Sequence, residues 1–163
     1  MIVLIEGVDG SGKTTLSKQL EDLGYKIINI EQNDEQFTSY MSYAKDDKVY
    51  ICDRSFLSDL VYRLEDGKHR QGMNMSSMIS ILEAGAKVIF CHSDTAYIDS
   101  MIRGESNITT RDRSSKINNI YNLLHRLLKL FVNVSVTDYC WKKDNILTII
   151  KFIERNGYEP ASV

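Results

Sequence analysis

Proline is almost missing from this 163-residue chain: the single one is Pro160, near its end. Proline-rich linkers and polyproline arms are therefore excluded. Cysteine is sparse. Cys52, Cys91 and Cys140 are odd in number and far apart, which excludes a disulfide framework and the paired spacing of a zinc site. His69, His92 and His125 add no ligand spacing. Cys52 and Cys91 lie in apolar runs and are expected as reduced core thiols. Positive charge is not in excess: 20 Lys and Arg stand against 22 Asp and Glu, a net charge of −2. That speaks against a broad basic surface for nucleic acid, while leaving room for a local basic cleft. Long apolar runs are absent too, and none approaches membrane-spanning length. The first residues read as a strand and loop, not a secretory leader, so no membrane partner and a cytoplasmic setting are expected.

What remains is ordinary for one globular domain spanning 1–163, with 43% hydrophobic and 26% charged residues. The glycines are unevenly spread. Three of nine fall in Gly7-Val8-Asp9-Gly10-Ser11-Gly12-Lys13-Thr14-Thr15. This stretch follows the apolar run Ile2-Val3-Leu4-Ile5 and precedes a segment with helical spacing, matching G-x-x-x-x-G-K-[ST] in full. A loop that wraps phosphates needs inward backbone N–H groups, and glycines permit that path. The following helix adds its positive N-terminal end. Lys13 is expected to reach the β- and γ-phosphates of ATP, and the Thr14 hydroxyl to ligate Mg²⁺.

Periodicity predicts strands over 2–6, 25–30, 49–52, 87–91 and 132–136. Helices are predicted over 13–23, 35–45, 56–65, 76–84, 95–102, 117–131 and 145–155. Short apolar runs alternating with helices predict a three-layer α/β fold, with about five parallel strands and helices on both faces. Ligands in such sheets bind at the carboxyl ends of the strands. Asp53 and Arg54 stand at such an end, after Val49-Tyr50-Ile51-Cys52. A carboxylate there is suited to Mg²⁺, and an arginine to a phosphate held in bidentate fashion. The polar segment 103–115, with Arg103, Arg111 and Arg113, reads as a lid that brings positive charge to a transferring group and excludes water.

Asp53-Arg54-Ser55-Phe56-Leu57-Ser58-Asp59-Leu60-Val61-Tyr62-Arg63 resembles the thymidylate kinase pattern D-R-x-x-x-S-x-x-A-Y-Q, and Glu6 through Thr15 resembles that family's E-G-x-D-G-S-G-K-[ST]-T. The resemblance implies a P-loop NTPase fold and an ATP- and Mg²⁺-dependent kinase of deoxynucleoside monophosphates, of the small type found in viruses and phages. It implies that Asp9 faces the acceptor or the metal. It also implies that Arg54 grips the acceptor phosphate, and that Tyr62 and Arg70 lie near the acceptor sugar or base. Phe37, Tyr40 and Phe56 are candidate stacking rings for the nucleobase. Related kinases are often dimers, so a homodimer is an expectation of the same kind.

The chain also departs from that family. Ile30-Glu31-Gln32 stands where its R-E-P motif is found, and Arg63 replaces the glutamine. Glu31 resembles the glutamate that ends the second strand of deoxynucleoside kinases. A hydroxyl acceptor therefore stays open, with Glu31 or Asp53 as the base: a deoxynucleoside, or the hydroxymethyl group of 5-hydroxymethyluracil in DNA. A non-catalytic nucleotide switch is the third reading. The expected catalytic set is Lys13, Asp53, Arg54, Arg103 and Arg111, the metal pair is Thr14 and Asp53, and the acceptor set is Asp9, Glu31, Arg54, Tyr62 and Arg70.

Overall fold

The computed structural model describes residues 1–31, 33, 35–67, 72–93, 111–130, 133–155 and 159–160. The elements, in order, are β1 (Ile2–Glu6), α1 (Lys13–Asp22), β2 (Lys26–Ile28), α2 (Gln36–Lys45), β3 (Lys48–Asp53) and α3 (Phe56–Asp66). They continue as α4 (Met75–Glu83), β4 (Lys87–Cys91), α5 (Arg111–Leu128), β5 (Ser135–Tyr139), α6 (Ile146–Glu154) and β6 (Glu159–Pro160). Five strands form a parallel sheet in the order β2-β3-β1-β4-β5, and the short β6 pairs with the start of β3.

This order follows from right-handed crossovers. The connection from β1 runs outward past the place of β3, while later connections run the other way. They leave the sheet on opposite faces. Alternation along β1 serves both cores. Ile2 and Leu4 pack with Tyr40, Phe56, Leu57, Ile81, Ile117 and Tyr121 from α2 to α5. Val3 and Ile5 pack with Leu16, Leu20, Ile149 and Ile153 from α1 and α6. A strand buried on both faces must be apolar throughout, and IVLI is. Cys52, Cys91 and Cys140 are free and buried, as core thiols should be.

Side chains cap three helices and leave α1, at the glycine loop, and α2 uncapped. Ser55, Asn74 and Asn145 cap α3, α4 and α6 by accepting from Leu57, Ser77 and Leu147 N–H groups. Helix α1 has no side-chain cap and starts from Gly12, at φ 96°. Its first N–H groups stay available to an anion.

Three expectations shift. The second strand is shorter, Lys26–Ile28 against 25–30. The last strand of the five is Ser135–Tyr139, not 132–136. The apolar run before it suggested a strand there, whereas β5 is a sheet edge in which Ser, Thr and Asp make up most of Ser-Val-Thr-Asp-Tyr. The described part of the expected lid, 111–115, is helix, because Ser114, Ile117, Tyr121 and Leu128 already form the buried stripe of α5. The expected helix 95–102 and residues 103–110 lie outside the described residues.

Candidate functional site

The carboxyl ends of β1, β3 and β4 converge on the glycine loop. Gly7, at φ 145°, passes so close to β4 that a Cβ would lie 2.2 Å from the Cys91 carbonyl oxygen. At Gly12 a Cβ would lie 2.3 Å from Trp141 Cδ1. Both positions therefore require glycine for space as well as for φ. Lys13 turns into the loop, where its Nζ donates to the Val8 carbonyl at 2.9 Å and stands 3.9 Å from Asp9 Oδ1. Burial, then the nearby Arg54 charge, pushes the Lys13 pKa down to about 8.

Asp53 and Arg54 close β3. Asp53 sits beside Ile5 in the parallel register. Its buried Oδ1 has no hydrogen-bond partner. An orphaned carboxylate oxygen is unusual in a native interior and suits a cation. Thr14, at the start of α1, is exposed, and a hydroxyl and a carboxylate are donor types suited to Mg²⁺.

Arg54 is the only non-glycine residue of positive φ, 69°, among those described. That conformation costs about 1–2 kcal/mol. Its N–H donates to the Ile5 carbonyl at 3.1 Å, and Cys52 Sγ donates to its carbonyl at 3.2 Å. The guanidinium ion-pairs with Asp9 of the glycine loop, donates to the Tyr62 hydroxyl at 3.2 Å and lies over that ring. The structure thus brings together Asp9, Lys13, Arg54 and Tyr62.

The remaining sequence candidates divide. Glu31 is exposed beyond the end of β2. Arg111 opens α5 with an exposed side chain. Arg113 instead bonds Glu65 at 2.9 Å and Asp66 at 3.2 Å, tying α5 to the end of α3. Arg63 pairs with Asp59 at 3.1 Å. Arg70 and Arg103 lie outside the described residues. Tyr40 and Phe56 are fully buried and pack edge-to-face, so they are core, not stacking platforms. Phe37, on the first turn of α2, is 38% exposed and is the candidate ring that remains.

Two residues of the site were given no role in the sequence reading, although Glu6 stands first in the motif quoted there. Glu6, the last residue of β1, is completely buried. It accepts hydrogen bonds from the Ser55 N–H at 2.9 Å, from the Ser55 and Ser58 hydroxyls, and from the Tyr121 hydroxyl at 3.4 Å. Burial raises its pKa, and the serine hydrogen bonds and Lys13 oppose the rise. A charged residue closing an apolar strand was the available signal. Trp141, on the loop after β5, lies against Gly12. The rule that strand carboxyl ends carry ligands pointed to that loop but to no residue in it.

The strand order and the phosphate loop define the class: a three-layer α/β P-loop fold. No family profile and no curated protein matches the sequence. Solved structures do match in shape. The YorR protein from Bacillus subtilis, in complex with phosphorylated GDP, superposes with a TM-score of 0.71 at 21% identity, over 98% of this chain and 100% of that one. Deoxyadenosine kinase from M. mycoides, with dCMP and dCDP bound, gives 0.61 at 18% identity, over 95% of this chain and 97% of that one. The same enzyme with bound dATP gives 0.59 at 20% identity, over 95% and 98%.

Proposed function

We propose that this protein is an ATP-dependent nucleoside or nucleotide kinase whose preferred acceptor is a deoxynucleoside monophosphate. One observation carries the reading. Arg54 is fixed in a costly backbone conformation with its guanidinium on Asp9, inside the loop that holds Lys13. An arginine so placed serves an anion that must sit next to the donor phosphates. A monophosphate acceptor is already ionised and needs cations more than a base. The whole-length likeness to a deoxyadenosine kinase and to a protein holding a guanine nucleotide supports the class.

Each residue has a task in this reading. The N–H groups of Gly7–Thr15 cradle the donor phosphates, and Lys13 neutralises them. Bound phosphate draws the Lys13 ammonium away from the Val8 carbonyl and restores its full charge. Thr14 and Asp53 hold Mg²⁺, which neutralises the phosphate oxygens when bound. Arg54, backed by Tyr62, fixes the acceptor phosphate in line with the donor. Phe37 offers its face to the acceptor base. Arg111 and Arg103 are proposed to supply charge to the transferring group.

A hydroxyl acceptor is the second reading, favoured by Glu31, an exposed carboxylate past β2. An acceptor panel with labelled ATP decides between them: dTMP and other monophosphates, deoxynucleosides, and DNA carrying 5-hydroxymethyluracil. The proposed reading expects transfer to a monophosphate, with the Glu31→Gln rate within about threefold of the parent. Transfer to a hydroxyl, with a Glu31→Gln loss of about a hundredfold or more, would establish the second reading instead. ATP turnover that no acceptor stimulates would overturn both and leave a nucleotide switch.

A further inference from the structure

Glu6 has no task in the reaction scheme above, yet it is the most completely enclosed carboxylate described, at 0% exposure. Its known partners are neutral: one N–H and the hydroxyls of Ser55, Ser58 and Tyr121. A buried carboxylate held by neutral donors is a poor way to stabilise a fold, because desolvation opposes what its hydrogen bonds supply. Such groups are better suited to fixing one geometry.

The geometry in question is next door. Gly7, the residue after Glu6, opens the phosphate loop. Ser55, whose N–H and hydroxyl both donate to Glu6, directly follows Arg54. Left-handed arginine persists only where its surroundings over-determine it. Glu6 pins the residue on one side of Arg54, and the Ile5 carbonyl takes the Arg54 N–H. Both anchors are consecutive residues of β1. The Ser55 hydroxyl also caps α3 through Leu57, and Ser58 bonds Tyr121 of α5 at 2.9 Å. One carboxylate thus ties β1, the β3–α3 turn, α3 and α5 together.

We infer that Glu6 is a positioning residue: by accepting the Ser55 N–H and the Ser55 and Ser58 hydroxyls, it holds Arg54 in its left-handed conformation and aims the guanidinium at the phosphate loop. The acceptor half of this inference rests on the kinase reading above. The structural half does not.

The test uses Glu6→Gln in the full chain. Glutamine keeps the size but has one accepting oxygen and no charge, so it serves Ser55 or Ser58 but not both, and neither with the strength of a carboxylate. Amide hydrogen exchange at Arg54 and Ser55 should accelerate about tenfold, the scale of one lost hydrogen bond to a charged group, while Ile89 in β4 stays within about twofold. With the acceptor that the parent enzyme uses, the acceptor KM should rise about tenfold and the ATP KM should move by less than about twofold. Ser58→Ala removes one donor only and should give the same pattern at smaller amplitude. It keeps the test open if Glu6→Gln does not fold. Unchanged exchange at Arg54 and Ser55, or equal rises in both KM values, would overturn the inference. A parent enzyme that phosphorylates no acceptor would overturn the kinase reading alone, because exchange still decides whether Glu6 holds Arg54.

Discussion

At the scale of the residue, Lys13 makes the sharpest forecast. Its pKa near 8 means that the ligand-free protein holds only part of a proton there at pH 8, and a phosphate stabilises the charged form. Nucleotide binding at pH 8 should therefore take up about half a proton, and affinity should fall as pH rises through 8. Calorimetric titrations in two buffers of different ionisation enthalpy measure the uptake, and zero uptake would contradict the assignment. Stability of the unliganded protein has the opposite sign. Between about 8 and 10.5 the unfolded lysine binds the proton that the folded one has shed, so stability gains over that window. Lys13 was legible in the sequence because the loop motif is local. Glu6 was not, because its partners Ser55, Ser58 and Tyr121 stand 49, 52 and 115 residues away. Tyr40 and Phe56 looked like stacking rings only because an aromatic in sequence does not reveal which side of a helix meets the sheet.

Among the elements, the meeting of α1 with the β5–α6 loop is one of two tight constraints at the site, beside the passage of Gly7 against β4. Gly12→Ala should weaken ATP binding by about a hundredfold, since a Cβ meets the Trp141 ring at 2.3 Å and the φ of 96° is unfavourable for alanine. Adding Trp141→Ala removes the ring atoms at 2.3 and 2.7 Å and leaves a tight Cβ contact at 3.0 Å besides the backbone strain, so the double variant should recover about half of the lost binding free energy. No recovery would mean that the ring is not the obstacle. A second forecast concerns α5. Arg113→Ala should lower stability by no more than about 1 kcal/mol, because its pairs with Glu65 and Asp66 are partly exposed. Thermal unfolding checks this, and a much larger loss would give the α3–α5 clamp a greater part in the fold. Element types and order along the described chain were readable from periodicity from β1 to α6, while the two-residue β6 at Glu159–Pro160 was not predicted. Boundaries were not readable where an edge strand is built mostly of polar residues, as at β5, or where the buried stripe of a helix began among polar residues, as at Arg111.

For the whole molecule, the sheet joins two cores of different origin, and one side chain ties the second core shut. Lys87, at the start of β4, is 3% exposed and donates to the Phe152 and Ile153 carbonyls, both at 2.8 Å, at the end of α6. It satisfies orphan carbonyls at a negative helix end. Lys87→Met should cost about 1–3 kcal/mol and lower the melting temperature by several degrees. A change below about one degree would show that water replaces the lysine at no cost. Strand order was not written in any single stretch. It followed only from chirality and from which strands are apolar on both faces.

The packing of Trp141 on Gly12 has an optical consequence. This is the chain's only tryptophan, so essentially all emission excited at the red edge comes from one ring in contact with the phosphate loop. Filling that loop changes the electrostatic surroundings of a single known fluorophore. In the proposed reading the protein carries a label-free gauge of donor occupancy, which can be read before any acceptor has been found.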